Sequence, residues 1–205
     1  MKFFVTGFEP FGTSTINPSE QVVRVLAGRQ FDGFVVETAV LPVHRHLGPQ
    51  TLLNHVQQHQ PDAVICLGEA GGRTAVSIER IAVNLLDFGI ADNNGLLVQD
   101  EPIVPDGPAA YFATLPVRTL QQAVLAAGIP AELSLSAGAF LCNQVMYELL
   151  HYLAREQLTM PAGFVHLPLL PEQAASQKPP RPSMALEGMV TAVSIILHTL
   201  HEKLC

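Results

Sequence analysis

The sequence predicts an α/β protein in which a mostly parallel sheet is covered by helices on both faces. Short β-rich runs alternate with segments of helical period along the chain, the pattern of strands joined by crossover helices. At 205 residues, 48% of them hydrophobic, the chain is long enough for a well-buried core, and no linker-like composition shift divides it. A single domain spanning 1–205 is expected. Only 14% of residues are charged, against roughly 25% in an average soluble protein, so subunits are expected to pack together.

The β-rich runs place strands at Lys2 to Thr6, Phe34 to Leu41, Ala63 to Leu67, Thr74 to Asn84, Ala131 to Leu135 and Gly163 to Leu167. Helical patterns fall between them at Ser19 to Ala27, Gly48 to Gln58, Val117 to Ala127, Asn143 to Gln157 and Ser183 to Lys203. Gly128 is a natural stop for the third helix, and Ser183 a cap for the last. Ala91 to Pro108 and Leu167 to Ser183 are rich in turn residues and read as loops, the second being the better lid candidate because it begins just after His166.

The formal net charge of -7, with Lys and Arg scattered, offers no basic stripe to neutralise phosphates, so nucleic acid is not an expected partner. Glu9 and Pro10 interrupt the N-terminal apolar run before a signal-peptide core forms, and no segment resembles a membrane span. A cytoplasmic location is expected. Three cysteines, Cys66, Cys142 and Cys205, fit neither a disulfide framework nor a zinc site, and free thiols are the expectation.

Cys142 stands where the small-residue run "LSLSAGAF" gives way to a helix whose apolar face is Val145, Met146, Leu149, Leu150 and Leu153. At a helix start, unpaired amides and the positive end of the dipole favour a thiolate; a buried filler cysteine is the plainer reading. His166 closes the apolar run "AGFVH", so it should sit at the C-terminal end of a strand, where open α/β sheets bind ligands, and Cys142 is expected at that same edge. Glu79 in "SIERIAVN" is a carboxylate in an otherwise buried strand, which requires a partner; Arg73 or Arg80 would serve structurally. His55 and His59, four apart on a helix, have the spacing for a shared metal, but no carboxylate or third histidine is spaced to complete a set, and they read as surface residues. "GEAGGR" lacks both phosphate-loop spacings and reads as a tight turn whose amides face a ligand. Phe8 and Phe11 in "GFEPFG" have the character to wall a small flat ligand, or simply to pack.

Together "VTGFEPFG", "INPS", "AGGRTAVSIERIAVN", "DEPIVPDGPAAYFATLP", "SAGAFLCNQVMY" and "LPEQ" followed by "PSMALE" resemble the pyroglutamyl peptidase I family over essentially the whole chain. The resemblance implies a three-layer α/β/α sandwich, commonly assembled as a tetramer. It also implies removal of N-terminal 5-oxoproline from peptides through a thioester, without metal or cofactor. Carried over by motif, Cys142 is the nucleophile, His166 its base and Glu79 the carboxylate that orients the imidazole. Phe8, Phe11, Ile90, Phe140 and Leu141 match lactam-pocket positions, with Asn17 and Glu69 also assigned to substrate binding, and the Cys142 amide and one from the Glu69 turn are expected as the oxyanion hole.

Three positions depart from the family pattern: Gly89 replaces an arginine, Glu69 a glutamine found in many bacterial members, and Leu135 an asparagine. These departures keep a second reading open, a pyroglutamyl-peptide binding protein with weak or lost turnover. Fold analogy alone also allows a nucleoside phosphorylase or hydrolase, in which the three matched residues have no evident task.

Overall fold

The computed structural model describes Met1–Cys205. Its centre is a seven-stranded sheet. β1 (Lys2–Phe8) pairs in parallel with β3 (Phe34–Leu41) on one side and β4 (Ala63–Glu69) on the other, and β4 pairs in parallel with β9 (Ala162–Leu167). The short β2 (Gln30–Phe31) lies antiparallel at one edge. At the other, β5 (Val76–Glu79) runs antiparallel to β9 and carries β8 (Ala131–Ser134) parallel to itself.

Both faces of this sheet are apolar, as a sheet covered on both sides requires. Phe3, Val5, Ile65, Leu67, Ile78 and Val165 point to one layer, formed by α1 (Pro18–Leu26), α3 (Val117–Ala126) and α6 (Leu186–Leu204). Phe4, Val64, Cys66 and Phe164 point to the other, formed by α2 (Leu47–His59) and α4 (Leu141–Arg155). Strand side chains alternate between faces. Gly68, His166 and Glu79, each two residues from Cys66, Phe164 or Ser77, therefore share the face that α4 covers.

Local chemistry sets the element ends. Asn17 caps α1 by accepting from the Ser19 amide, Pro18 occupies the first turn, and Glu20 pairs with Arg24 one turn on. α2 stops at Gln60, whose left-handed backbone returns its amide to the Val56 carbonyl. At its other end the His44 ring accepts from the amides of His46 and Leu47 and so caps the helix start.

Several boundaries differ from expectation. The strand expected over Thr74 to Asn84 is two: the chain leaves the main sheet at Arg80, whose amide still bonds to Ser134 while its carbonyl accepts from Ala113, and continues as β6 (Ile81–Val83) in a separate pair with β7 (Ala110–Phe112). The last helix begins at Leu186, because Ser183 bridges to Leu169 and Met184 bonds to the Leu169 carbonyl. A short α5 (Pro171–Ala175) interrupts the second loop. The first loop has little regular structure but is anchored: buried Asp92 accepts from the Asn94, Leu96 and Arg45 amides, and Asn93 binds Glu9 and the Pro10 carbonyl. No helix is long and apolar enough to cross a membrane.

Candidate active site

His166 lies near the C-terminal end of β9 and Glu79 at the end of β5. Because these strands are antiparallel neighbours, with Ser77 opposite His166, the two side chains meet on one face. His166 Nδ1 lies 2.8 Å from Glu79 Oε1, with both residues buried. Burial raises the Glu79 pKa, but the His166 hydrogen bond and the Arg73 guanidinium outweigh it and hold the carboxyl below its ordinary range. Burial lowers the His166 pKa more than Glu79 raises it, so the resting imidazole is neutral. With Nδ1 facing the carboxylate, Nε2 is the nitrogen left to accept a proton. Arg73 donates to the same Glu79 oxygen at 2.7 Å and to the Ser136 carbonyl at 3.0 Å. Glu79 Oε2 is buried with no partner, a cost that a purely structural ion pair would not need to carry.

Cys142 is the second residue of α4, after Phe140 in extended conformation. The reason expected for its position needs correcting. β8 runs opposite to β9, so the end of Cys142's own strand is not at the edge that His166 reaches. The loop Leu135–Phe140 carries the chain back: Arg73 holds the Ser136 carbonyl, and the Asp87 amide donates to that of Ala139. Asn143 exchanges hydrogen bonds with both backbone groups of Val83, and Gln144 donates to the Arg45 carbonyl, fixing the first turn of α4. The Cys142 amide, in that turn, has no intrahelical acceptor. Burial, then Glu79 and Glu69, push the thiol pKa up to about 12 against the opposing charge of Arg73. The resting pair is thus a neutral thiol and a neutral imidazole.

Cys142 and His166 line one cavity of about 240 Å3, together with Phe8, Phe11, Asn17, Val43, Glu69, Ala70, Arg73, Ala137, Gly138, Phe140 and Leu141. That volume is below the usual span of drug-sized pockets and suits one small ring. Phe140 is held between Phe11 and Phe88, with ring centroids at 6.2 and 4.6 Å. Glu69 accepts from Gln173 Nε2 at 2.8 Å; burial raises its pKa, opposed by that bond. Asn17 borders the cavity, but its Oδ1 is engaged by Ser19 and its Nδ2 donates to the Glu9 carbonyl, so capping occupies much of its capacity. Ile90 does not line the cavity; it is 46% exposed and lies near Gly12. In the Glu69 turn, the Ala70 amide is committed to the Leu167 carbonyl.

Sequence reasoning missed Arg73's place in the cavity wall and the contributions of Val43, Ala137 and Gly138. The signal for Arg73 was present, since an arginine six residues before a buried glutamate in a glycine turn can fold back onto it. For Val43, nothing local distinguishes a cavity residue from an ordinary core valine.

An open α/β sheet that gathers a thiol, an imidazole and a carboxylate about one small apolar cavity has the architecture of a cysteine hydrolase. The pyroglutamyl peptidase family model matches residues 1–203. The chain is 44% identical over 201 residues to the pyrrolidone-carboxylate peptidase of Vibrio vulnificus, covering 98% of this chain and 93% of that protein. It is 44% identical over 203 residues to the enzyme of that name from Gloeobacter violaceus, covering 99% and 98%. A solved structure of the pyrrolidone carboxyl peptidase of Pyrococcus furiosus superposes with a TM-score of 0.97 at 42% identity, covering 100% of both chains. The chain belongs to the pyroglutamyl peptidase family of cysteine peptidases.

Proposed function

We propose that this enzyme removes N-terminal pyroglutamate by a route in which Cys142 is the nucleophile, His166 the base and Glu79 the group that orients it. The observation carrying this reading is the 2.8 Å contact between His166 Nδ1 and Glu79 inside the cavity that also holds Cys142. His166 Nε2 takes the thiol proton as Sγ attacks the scissile carbonyl, and the oxyanion forms beside the Cys142 amide. His166 then gives that proton to the leaving amine as the C–N bond breaks, leaving a thioester that water hydrolyses with His166 again as base. The imidazolium formed in each step is stabilised by Glu79, which the Arg73 guanidinium keeps ionised.

Phe8, Phe11, Phe140 and Leu141 provide apolar walls for a neutral lactam ring. The arginine in the wall, Arg73, is already paired with Glu79, which leaves no free cation for the carboxylate of an open glutamate. The charge-poor composition supports a homo-oligomer, a tetramer by family resemblance, and the three free cysteines support a reducing, cytoplasmic setting.

Purified protein should hydrolyse a fluorogenic pyroglutamyl amide and release no product from the prolyl analogue, which lacks the ring carbonyl. Hydrolysis that survives Cys142→Ala would overturn the assignment.

A further inference from the structure

Outside the catalytic cavity, β3 and α2 bring together three side chains with the chemistry of a metal site. Glu37 projects from β3, and His55 and His59 lie one turn apart on the facing side of α2. His55 Nε2 is 3.1 Å and His59 Nδ1 3.7 Å from the same carboxylate oxygen, Glu37 Oε2. One ligand atom from each residue lies within 4.8 Å of the other two. Around a tetrahedral zinc ion with bonds of roughly 2.0–2.1 Å, ligand atoms stand about 3.3 Å apart, so both carboxylate–imidazole spacings are already close to what such an ion needs.

The His55 ring is held in place, and the His59 ring is not. His55, expected at the surface, is largely covered: it stacks on buried Phe4 with centroids 3.6 Å apart and planes 8° from parallel, and His59 stacks on His55 at 4.1 Å. A Glu37–His55 hydrogen bond accounts for one histidine only. His59, at 3.7 Å, makes no hydrogen bond to the carboxylate. Its side chain is 46% exposed, so its ring is free to leave the 15° stack on His55 and aim its in-plane lone pair at an ion beside the oxygen, and the open side gives water access to the remaining coordination positions. The opposing charge is the Lys2 ammonium, which donates to the His59 carbonyl; the Glu37 carboxylate offsets it.

We propose that Glu37, His55 and His59 form a binding site for a first-row divalent transition metal of the zinc type, tying α2 to β3. Two imidazoles and a carboxylate suit such ions, whereas calcium and magnesium prefer all-oxygen sets. None of the three residues lines the catalytic cavity, so the site acts on stability and not on chemistry.

The test must keep zinc away from the thiols, so zinc chloride is titrated calorimetrically into the full-length Cys142→Ser/Cys205→Ser protein at neutral pH. One saturable equivalent is expected, with a zinc-dependent rise in unfolding temperature. Glu37→Gln and His59→Ala, added singly, should each weaken binding at least about tenfold and remove the rise. His59→Ala truncates a half-exposed side chain, and Glu37→Gln keeps the shape of its own, so metal-free unfolding temperatures check that both still fold. Cobalt should give the d–d spectrum of nitrogen and oxygen ligation without thiolate charge transfer. Absence of saturable zinc binding, or equal affinity in both ligand variants, overturns the proposal.

Discussion

The sulfur of Cys142 occupies the space that a side chain on Gly68 would need: a β-carbon there would lie 2.9 Å from Sγ and 2.7 Å from the Phe164 ring. Gly68 pairs in register with His166 across β4 and β9, so the residue that makes room for the thiol also sets its level on the sheet. Gly68→Ala should therefore displace the Cys142 thiol. Overpacking of this kind costs about 1–3 kcal/mol, and kcat/KM should fall by roughly a hundredfold, since small misplacements at a reacting centre have effects of that order. Urea unfolding and steady-state kinetics check this; full activity in the alanine variant would mean that Cys142 reacts from another position.

The pH profile should have one acid limb and no fall on the alkaline side until the protein unfolds. Burial places the His166 pKa below its ordinary value, so the neutral imidazole is lost only as pH drops below about 6.5, while the thiol at about 12 does not titrate in the working range. Glu79→Gln removes the partner that raises the imidazole pKa, so the acid limb should move lower while the rate falls by roughly 10^2–10^4. Arg73→Met removes a charge that lowers it, so the limb should move higher. Shifts of the same sign in both variants would rule out this electrostatic arrangement.

Stability should follow the same groups. A histidine whose pKa is lowered by folding binds protons more readily when unfolded, so its contribution is full above the unfolded pKa near 6.5 and is lost as pH falls below it. Glu79 and Asp92, both lowered, add stability above about pH 4 that is lost on further acidification. Thermal unfolding should show two acid-side declines, and Asp92→Asn should flatten the lower one.

Glu69→Gln should raise activity. Glu69 is one of two carboxylates that push up the thiol pKa, and glutamine keeps the shape needed to contact Gln173. The gain should be several-fold and not exceed about tenfold, the equivalent of one pKa unit. A fall in kcat/KM would instead show that the carboxylate itself holds substrate.

Gly89→Arg should be accepted without strain. Gly89 is exposed, a β-carbon placed on it would meet no atom within 4 Å, and it follows Phe88, whose ring braces Phe140 in the cavity wall. Stability should change by less than about 0.5 kcal/mol, and a cation returned to this rim should raise kcat/KM. Unchanged turnover would show that Arg73 already supplies the positive charge the site needs.

The sequence disclosed those parts of the site whose position follows from one element. His166 was legible because an apolar run ends on it and "LP" follows, and Cys142 because small residues yield there to a helical period. Glu79 was legible as a buried charge, but only the family resemblance joined it to His166; its own pattern did not, since His166 lies 87 residues away and the pairing depends on β5 being antiparallel to β9. The break at Arg80 was hidden for a related reason. "SIERIAVN" is β-forming throughout, and only the exchange of Ser134 for Ala113 as backbone partner marks where one sheet ends. Glu37 shows the same limit: it completes a trio with His55 and His59 through the packing of a helix on a strand, which sequence spacing does not encode.

The position of β5 also governs when the enzyme becomes competent. Both strands that hold it, β8 and β9, are made long after it, so a chain emerging from the ribosome carries Glu79 through the intervening synthesis with Arg73 as its partner and no strand beside it. A chain that has reached the end of α4 has Cys142 but neither His166 nor the β9 that joins β5 to β4. Peptidase activity is thus a late product of synthesis, tied to the long-range pairings of β9, and β5, with only β8 available on one side, keeps an open edge in need of protection from aggregation until β9 arrives.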